Sequence, residues 1–253
     1  TPLYSSAASD VYKRQEIAHE LSLDKNVEAT AEKLAKKLST DKSTLLKPVE
    51  EISEHLRENA PLPTDDHILI EAFDKYLIIH ACFGEVVNRT LGSIFDAILS
   101  DHELIAGWWN DGYRILIEMP RKSEPTDLEK LPSLLFELTE KEVDHAFDDY
   151  LKAHFPFSYK MKFVAERFGA LPRGRTMLGK RLEQLPKRFK ETPIYEETLR
   201  EAMTERVDIP SVKRIMKDVQ KRKIEVSTLF RSEKPTPLAY HMLAKYSEIP
   251  ELM

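Results

Sequence analysis

The sequence has 253 residues, 42% of them hydrophobic and 32% charged, which excludes a disordered chain and leaves room for one large domain or two small ones with a real core. No apolar run approaches the ~18 residues of a membrane-spanning helix, so no membrane partner is expected. The net charge of −5 hides an asymmetry: residues 16–157 hold 15 Lys+Arg against 29 Asp+Glu, whereas residues 158–234 hold 20 against 11. A polyanion would meet the second half; alternatively the two halves attract each other. The single cysteine, Cys82, cannot form an intrachain disulfide and reads as a core residue. With no visible secretory signal, this fits a reducing compartment, and a cytoplasmic location is expected.

In chain order, residues 1–15 come first and stand apart. The string "SSAASDVYKRQ" (5–15) looks like translated sequencing adapter, so 1–15 are set aside as a non-native tail and the chain is expected to be a fragment. Residues 16–60 carry two helical stripes, Val27-Ala31-Leu34-Leu38 and Leu45-Val49-Ile52-Leu56, about the polar turn "STDKST". Such a pair is compatible with a helix-turn-helix or winged helix. "APLPTDD" (60–66) ends this segment. "HILIEAF" (67–73) and "YLIIHACF" (76–83) read as paired strands joined at Asp74-Lys75. A helix over 85–99 and a strand over 113–119 complete an antiparallel sheet carrying one helix. Residues 120–132 read as a loop and 134–155 as an acidic helix. Beyond 157, helices are predicted near 158–169, 176–190, 193–205 and 210–221, then a strand over 223–230 and a helix over 236–246. The predicted domains are thus 16–60 (helical, winged-helix-like), 61–132 (β-rich with one helix) and 133–253 (helical).

The chain carries no recognisable catalytic centre. None of its 7 glycines stands in a GxxxxGK[ST] phosphate loop, and its 8 histidines lack HExxH or CxxC spacing. No Ser-centred nucleophile elbow and no acidic magnesium box is present. What remains is a binding surface or, alternatively, a solvated loop tying two helices together. "RFGALPRGRTMLGKR" (167–181) gathers Arg167, Arg173, Arg175, Lys180 and Arg181 around glycines that let a partner approach closely. Lys187, Arg188 and Lys190 extend this surface to the start of "ETPIYEETLREAM", where Thr192 and Pro193 suit a helix start and Tyr195, Leu199, Ala202 and Met203 form a stripe. Trp108 and Trp109 in "GWWNDGYR" (107–114) are candidates for base stacking or for the core.

The ordered motifs "PTDDHILIE", "YLIIHACFGEVVNRTLG", "DGYRILIEMP", "RFGALPRG", "RFKETPIYEETLRE" and "KPTPLAYHMLAKY" resemble the post-motor region, with its DEAD/H-associated domain, of large helicase-related (Lhr-type) superfamily 2 helicases. The likeness covers about 45–253 and looks closer to archaeal than to bacterial members. It implies an α+β fold: an antiparallel β-sheet or barrel unit with flanking helical, winged-helix-like modules. It further implies a role in guiding single-stranded or forked DNA for an ATP-dependent DNA helicase, in a repair context. No cofactor is expected in this fragment; ATP and magnesium would belong to missing motor domains in cis. Where bacterial members carry an aromatic in an "HAPW"-like stretch, this chain reads Asn88-Arg89-Thr90-Leu91, leaving Leu91 as an apolar wedge or as core. The competing readings are a self-contained winged-helix DNA-binding protein and a protein-interaction module without nucleic acid.

Overall fold

The computed structural model describes residues 16–153, 155–174, 177 and 179–247; the tail 1–15 lies outside them. Helix α1 (residues 16–23), α2 (Val27–Leu38) and α3 (Lys42–Arg57) pack around Ile17, Leu21, Leu34, Leu45, Val49 and Ile52. The Asn26 side chain caps α2 by accepting from the Ala29 amide at 3.1 Å. Ser39 ends α2 in the left-handed conformation (φ 50°). No strand occurs among the described residues 16–60, so a winged-helix wing is not seen there.

Five strands form one open sheet in the order β3-β4-β2-β1-β5. They are β1 (His67–Phe73), β2 (Tyr76–His80), β3 (Gly107–Asn110), β4 (Arg114–Glu118) and β5 (Glu225–Arg231). The β1–β2 hairpin turns at Asp74-Lys75, with Asp74 at φ 52°, and pairs Phe73 with Tyr76. The sheet is mixed, not purely antiparallel, because β5 lies parallel to β1 with His67 opposite Glu225. The barrel alternative is not formed: the sheet has two edges, β3 and β5.

Both faces of the central strands are covered, and this explains their unbroken apolar sequence. Ile68, Ile70, Leu77, Ile79, Ile115 and Ile117 face the main core. Helices α4 (Glu85–Asp101), α5 (Pro125–Phe136), α6 (Glu140–Ala153) and α11 (Ile209–Gln220) complete it. Phe95 of α4 meets Phe136 of α5 edge-on, with centroids 5.2 Å apart. On the other face Phe73, Tyr76, Ile78 and Leu116 pack under Ala239, Met242 and Leu243 of α12 (Pro237–Tyr246). The main core therefore draws side chains from both sides of the expected boundary at 132.

Several elements differ from expectation. The loop predicted over 120–132 contains the start of α5, with Pro125 at its first position and the Glu124 amide bonded to Asp127 Oδ2 at 2.8 Å. The single helix predicted over 134–155 breaks at 137–139, where Thr139 and Glu142 cap α6 reciprocally at 2.7 and 3.3 Å. Strand β2 stops at His80, short of 83, and β3 forms where only a turn approach was read. The helix predicted over 176–190 is two four-residue helices, α8 (Lys180–Glu183) and α9 (Leu185–Arg188), separated at Gln184 before Pro186.

Candidate nucleic-acid interface

The basic region has its own small core. Helix α7 (Phe155–Arg167) crosses α10 (Pro193–Arg206), and α8 and α9 close over the junction. Phe157, Met161, Val164, Leu182, Leu185, Phe189 and Ile194 are buried together. Phe157 meets Tyr195 edge-on, with centroids 5.4 Å apart. Tyr195 and Leu199 pack at the margin of this core, as their spacing predicted, whereas the side chains of Ala202 and Met203 lie outside the described residues. Pro193 takes the first helical position of α10. The Thr192 hydroxyl does not cap the helix; it donates to the Phe189 carbonyl at 2.6 Å instead.

This scaffold presents the basic side chains. Gly169 and Gly174 both sit at φ 72°, and nothing lies within 4 Å of a Cβ built on either, so the loop after α7 turns through open space. Arg173, Lys180, Arg181, Lys187, Arg188 and Lys190 are exposed and form no salt bridge among the described residues. Arg188 lies over the Phe189 ring, 5.3 Å from its centroid. Arg167 is engaged otherwise: its guanidinium pairs with Glu201 of α10. Arg175 lies outside the described residues.

The charge asymmetry thus divides into two parts. Along α11 the two halves of the chain do attract each other: Lys213 meets Asp144 at 2.6 Å, and Lys217 pairs with Glu140. The Lys217 hydrogen bond holds the Glu140 carboxyl below its ordinary range. At the C-terminal end Lys234 reaches Glu58 at 2.5 Å, and Arg231 also pairs with Glu58. Among the described residues between 173 and 190 no cation is paired in this way, so they keep their positive field.

The apolar candidates have structural places. Leu91 is fully buried in α4 and has no surface to offer a base, which corrects the wedge reading. Its neighbours are also architectural. Asn88 Nδ2 donates to the carbonyls of Ala81 (2.7 Å) and Asp111 (3.0 Å), and the Thr90 hydroxyl accepts from the Asp208 amide at 2.9 Å. Trp108 and Trp109 point to opposite sides of β3 and are each half-buried. Trp108 lies against Gly92 and meets Tyr150 edge-on at 6.5 Å. Trp109 stacks on Tyr246 of α12, with centroids 5.9 Å apart and ring planes inclined at 21°. The sequence pattern missed three exposed aromatics, Tyr159, Phe163 and Phe168; the signal was available in "FSYKMKFVAERF", which is apolar on more than one side of a helix.

A second polar cluster lies beneath α12. Glu71, wholly buried in β1, accepts from the Thr236 amide at 2.7 Å, the Thr236 hydroxyl at 2.6 Å and His80 Nε2 at 3.2 Å. Burial disfavours its charge, but the His80 and Thr236 bonds outweigh that and leave its pKa below the ordinary value. This cluster anchors the start of α12 to the sheet, and it has no opening to a substrate. Among the described residues no three His, Cys, Asp or Glu side chains converge as metal ligands, and no helix is long and apolar enough to cross a membrane.

The whole is an α+β unit with a helical, cationic annex, and that fold recurs in a solved helicase. The structure of Mycobacterium smegmatis helicase Lhr bound to ssDNA and AMP-PNP superposes with a TM-score of 0.65, at 16% identity, over 85% of this chain and 29% of that one. Residues 62–239 match the DEAD/H associated family, and the chain belongs to that family. It is 26% identical to ATP-dependent helicase Lhr-Core of Saccharolobus solfataricus across 96% of this chain, and 26% identical to that of Methanocaldococcus jannaschii across 91%. The chain spans only 30% and 29% of the lengths of these relatives, so it matches one region of each.

Proposed function

We propose that this chain guides a single DNA strand as the accessory region of an ATP-dependent DNA helicase whose motor lies elsewhere in the parent protein. A setting in DNA repair and forked DNA as the parent's substrate belong to the same proposal. The observation that carries it is the set of exposed cations that form no salt bridge among the described residues, Arg173, Lys180, Arg181, Lys187, Arg188 and Lys190, held on a small core of their own. Guanidinium and ammonium groups of this kind contact phosphates and position a strand without reading its bases. The sequence has no GxxxxGK[ST] phosphate loop, and ATP chemistry is assigned to the motor.

The test measures binding of a labelled single strand across salt concentrations. Wild-type chain should bind weakly, with log K falling linearly against log salt. Replacing Arg173, Lys180 and Arg181 by Ala should weaken binding to every sequence alike and flatten the slope by about 2, since each cation on a phosphate contributes about 0.7. No binding by the wild type, or an unchanged slope in the triple variant, would remove this surface from the DNA path.

A further inference from the structure

Helix α7 has an outer face unlike that of an ordinary amphipathic helix. At 3.6 residues per turn, positions 159, 160, 163 and 167 fall within an arc of about 100°. They are Tyr159, Lys160, Phe163 and Arg167: two rings and two cations, of which Arg167 pairs with Glu201 of α10. Tyr159 is 45% exposed and Phe163 43%, although the opposite face already buries Phe157, Met161, Val164 and Ala165. Single exposed apolar residues are ordinary, but here two rings touch, with centroids 4.9 Å apart and planes at 84°. Phe163 is also held from behind by Lys162, whose Nζ lies 4.6 Å from the ring centroid and 3.0 Å from Glu166.

We infer that Tyr159 and Phe163 form a corner on which one unpaired base of single-stranded DNA stacks. The inference rests on the strand-guiding reading and adds where a base goes. Perpendicular rings let a base lie flat on one and meet the other edge-on, a geometry aromatic groups favour. Any base can do this, so the corner suits a strand held without sequence preference. Charge selects the occupant. Residues 158–190 contain ten Lys+Arg and only two acids, Glu166 and Glu183, and Glu166 is turned in against Lys162. Lys162 and Arg167 are paired, with Glu166 and Glu201, but the segment stays net positive, which favours a polyanion over a basic protein surface.

The test uses the whole chain and two probes of about 12 nucleotides, oligothymidylate and its abasic counterpart with the same phosphates. Wild type should prefer oligothymidylate by about tenfold, as one base–aromatic stack allows. The variant Y159A/F163A should lose that tenfold and bind both probes alike, with its salt slope unchanged. Y159F/F163Y should behave as wild type. Both side chains are exposed, so melting temperatures should differ little. Unchanged discrimination between the probes in Y159A/F163A overturns the corner while leaving the cationic surface intact. Failure of the wild type to bind either probe overturns the strand-guiding reading, and the corner with it.

Discussion

Replacing Gly92 by Ala decides whether Trp108 is architecture or a platform for bases. Gly92 lies within α4, where Ala is favoured over Gly by about 0.8–1 kcal/mol on helix propensity alone. A Cβ at this position, however, would sit 2.3 Å from Cζ3 and 2.6 Å from Cε3 of Trp108. Both atoms are in the body of a fused ring, and the ring is held in β3 by the Trp108–Ile117 register and by Tyr150. Such overpacking costs about 1–3 kcal/mol and exceeds the propensity gain. The net expectation is a loss of up to about 2 kcal/mol, or a melting temperature lower by up to about 8 °C for a chain of this size. Thermal denaturation measures that, and Trp108 emission, recorded in a Trp109→Phe background, should shift to the red as the ring is displaced toward solvent. A melting temperature that rises by the propensity term would refute the argument. It would mean that Trp108 does not rest on Gly92 and that its ring is available to stack elsewhere.

Three further outcomes follow from the geometry. Glu71→Gln should lower stability at pH 7 by about 1–3 kcal/mol, because it replaces charge-assisted bonds to Thr236 and His80. The Glu71 pKa is lowered on folding, so its charge stabilises the fold above the unfolded carboxylate value and that stability is lost as pH falls through the folded value. Urea midpoints measured from pH 7 down to about 3 should accordingly converge for wild type and E71Q, and a constant gap would contradict the assignment. Glu201→Gln releases Arg167 and should tighten single-strand binding about two- to threefold with a slope steeper by about 0.7; unchanged affinity would show that Arg167 lies off the strand path. ATP with magnesium should leave the melting temperature of the isolated chain unmoved, and a rise with nucleotide concentration would show a site that the sequence conceals.

Local signals were read well where one physical effect dominated. The β1–β2 hairpin follows from two apolar runs with Asp74-Lys75 between them, and α11 and α12 lie where helices near 210–221 and over 236–246 are expected. What was missed depended on partners far away in sequence. Strand β5 reads as a strand in isolation, but nothing local tells that it will lie parallel to β1. For Trp108 and Trp109 base stacking and core packing both stayed open in the sequence, because the rings they meet, Tyr150 and Tyr246, are distant in it. Two helix starts were overlooked although their chemistry was written locally, in Glu124-Pro125 and in Thr139 followed by Glu142. The unneutralised cations of 173–190 were legible as composition. That the cations of α11 are neutralised by α6 was legible only once those helices were packed together.

The basic annex is an insertion: the chain leaves the main core through α6 and returns to it through α11, with α7 to α10 between. A module joined by one linker can swivel about it, whereas one joined at both ends is restrained like a plate on two hinges. Here the hinges are stiffened by side contacts, α6 with α7 and α10 with α4, and by the Asp208 amide bonded to Thr90. Any swing of the annex would therefore have to break its contacts with α4, a helix buried against the sheet.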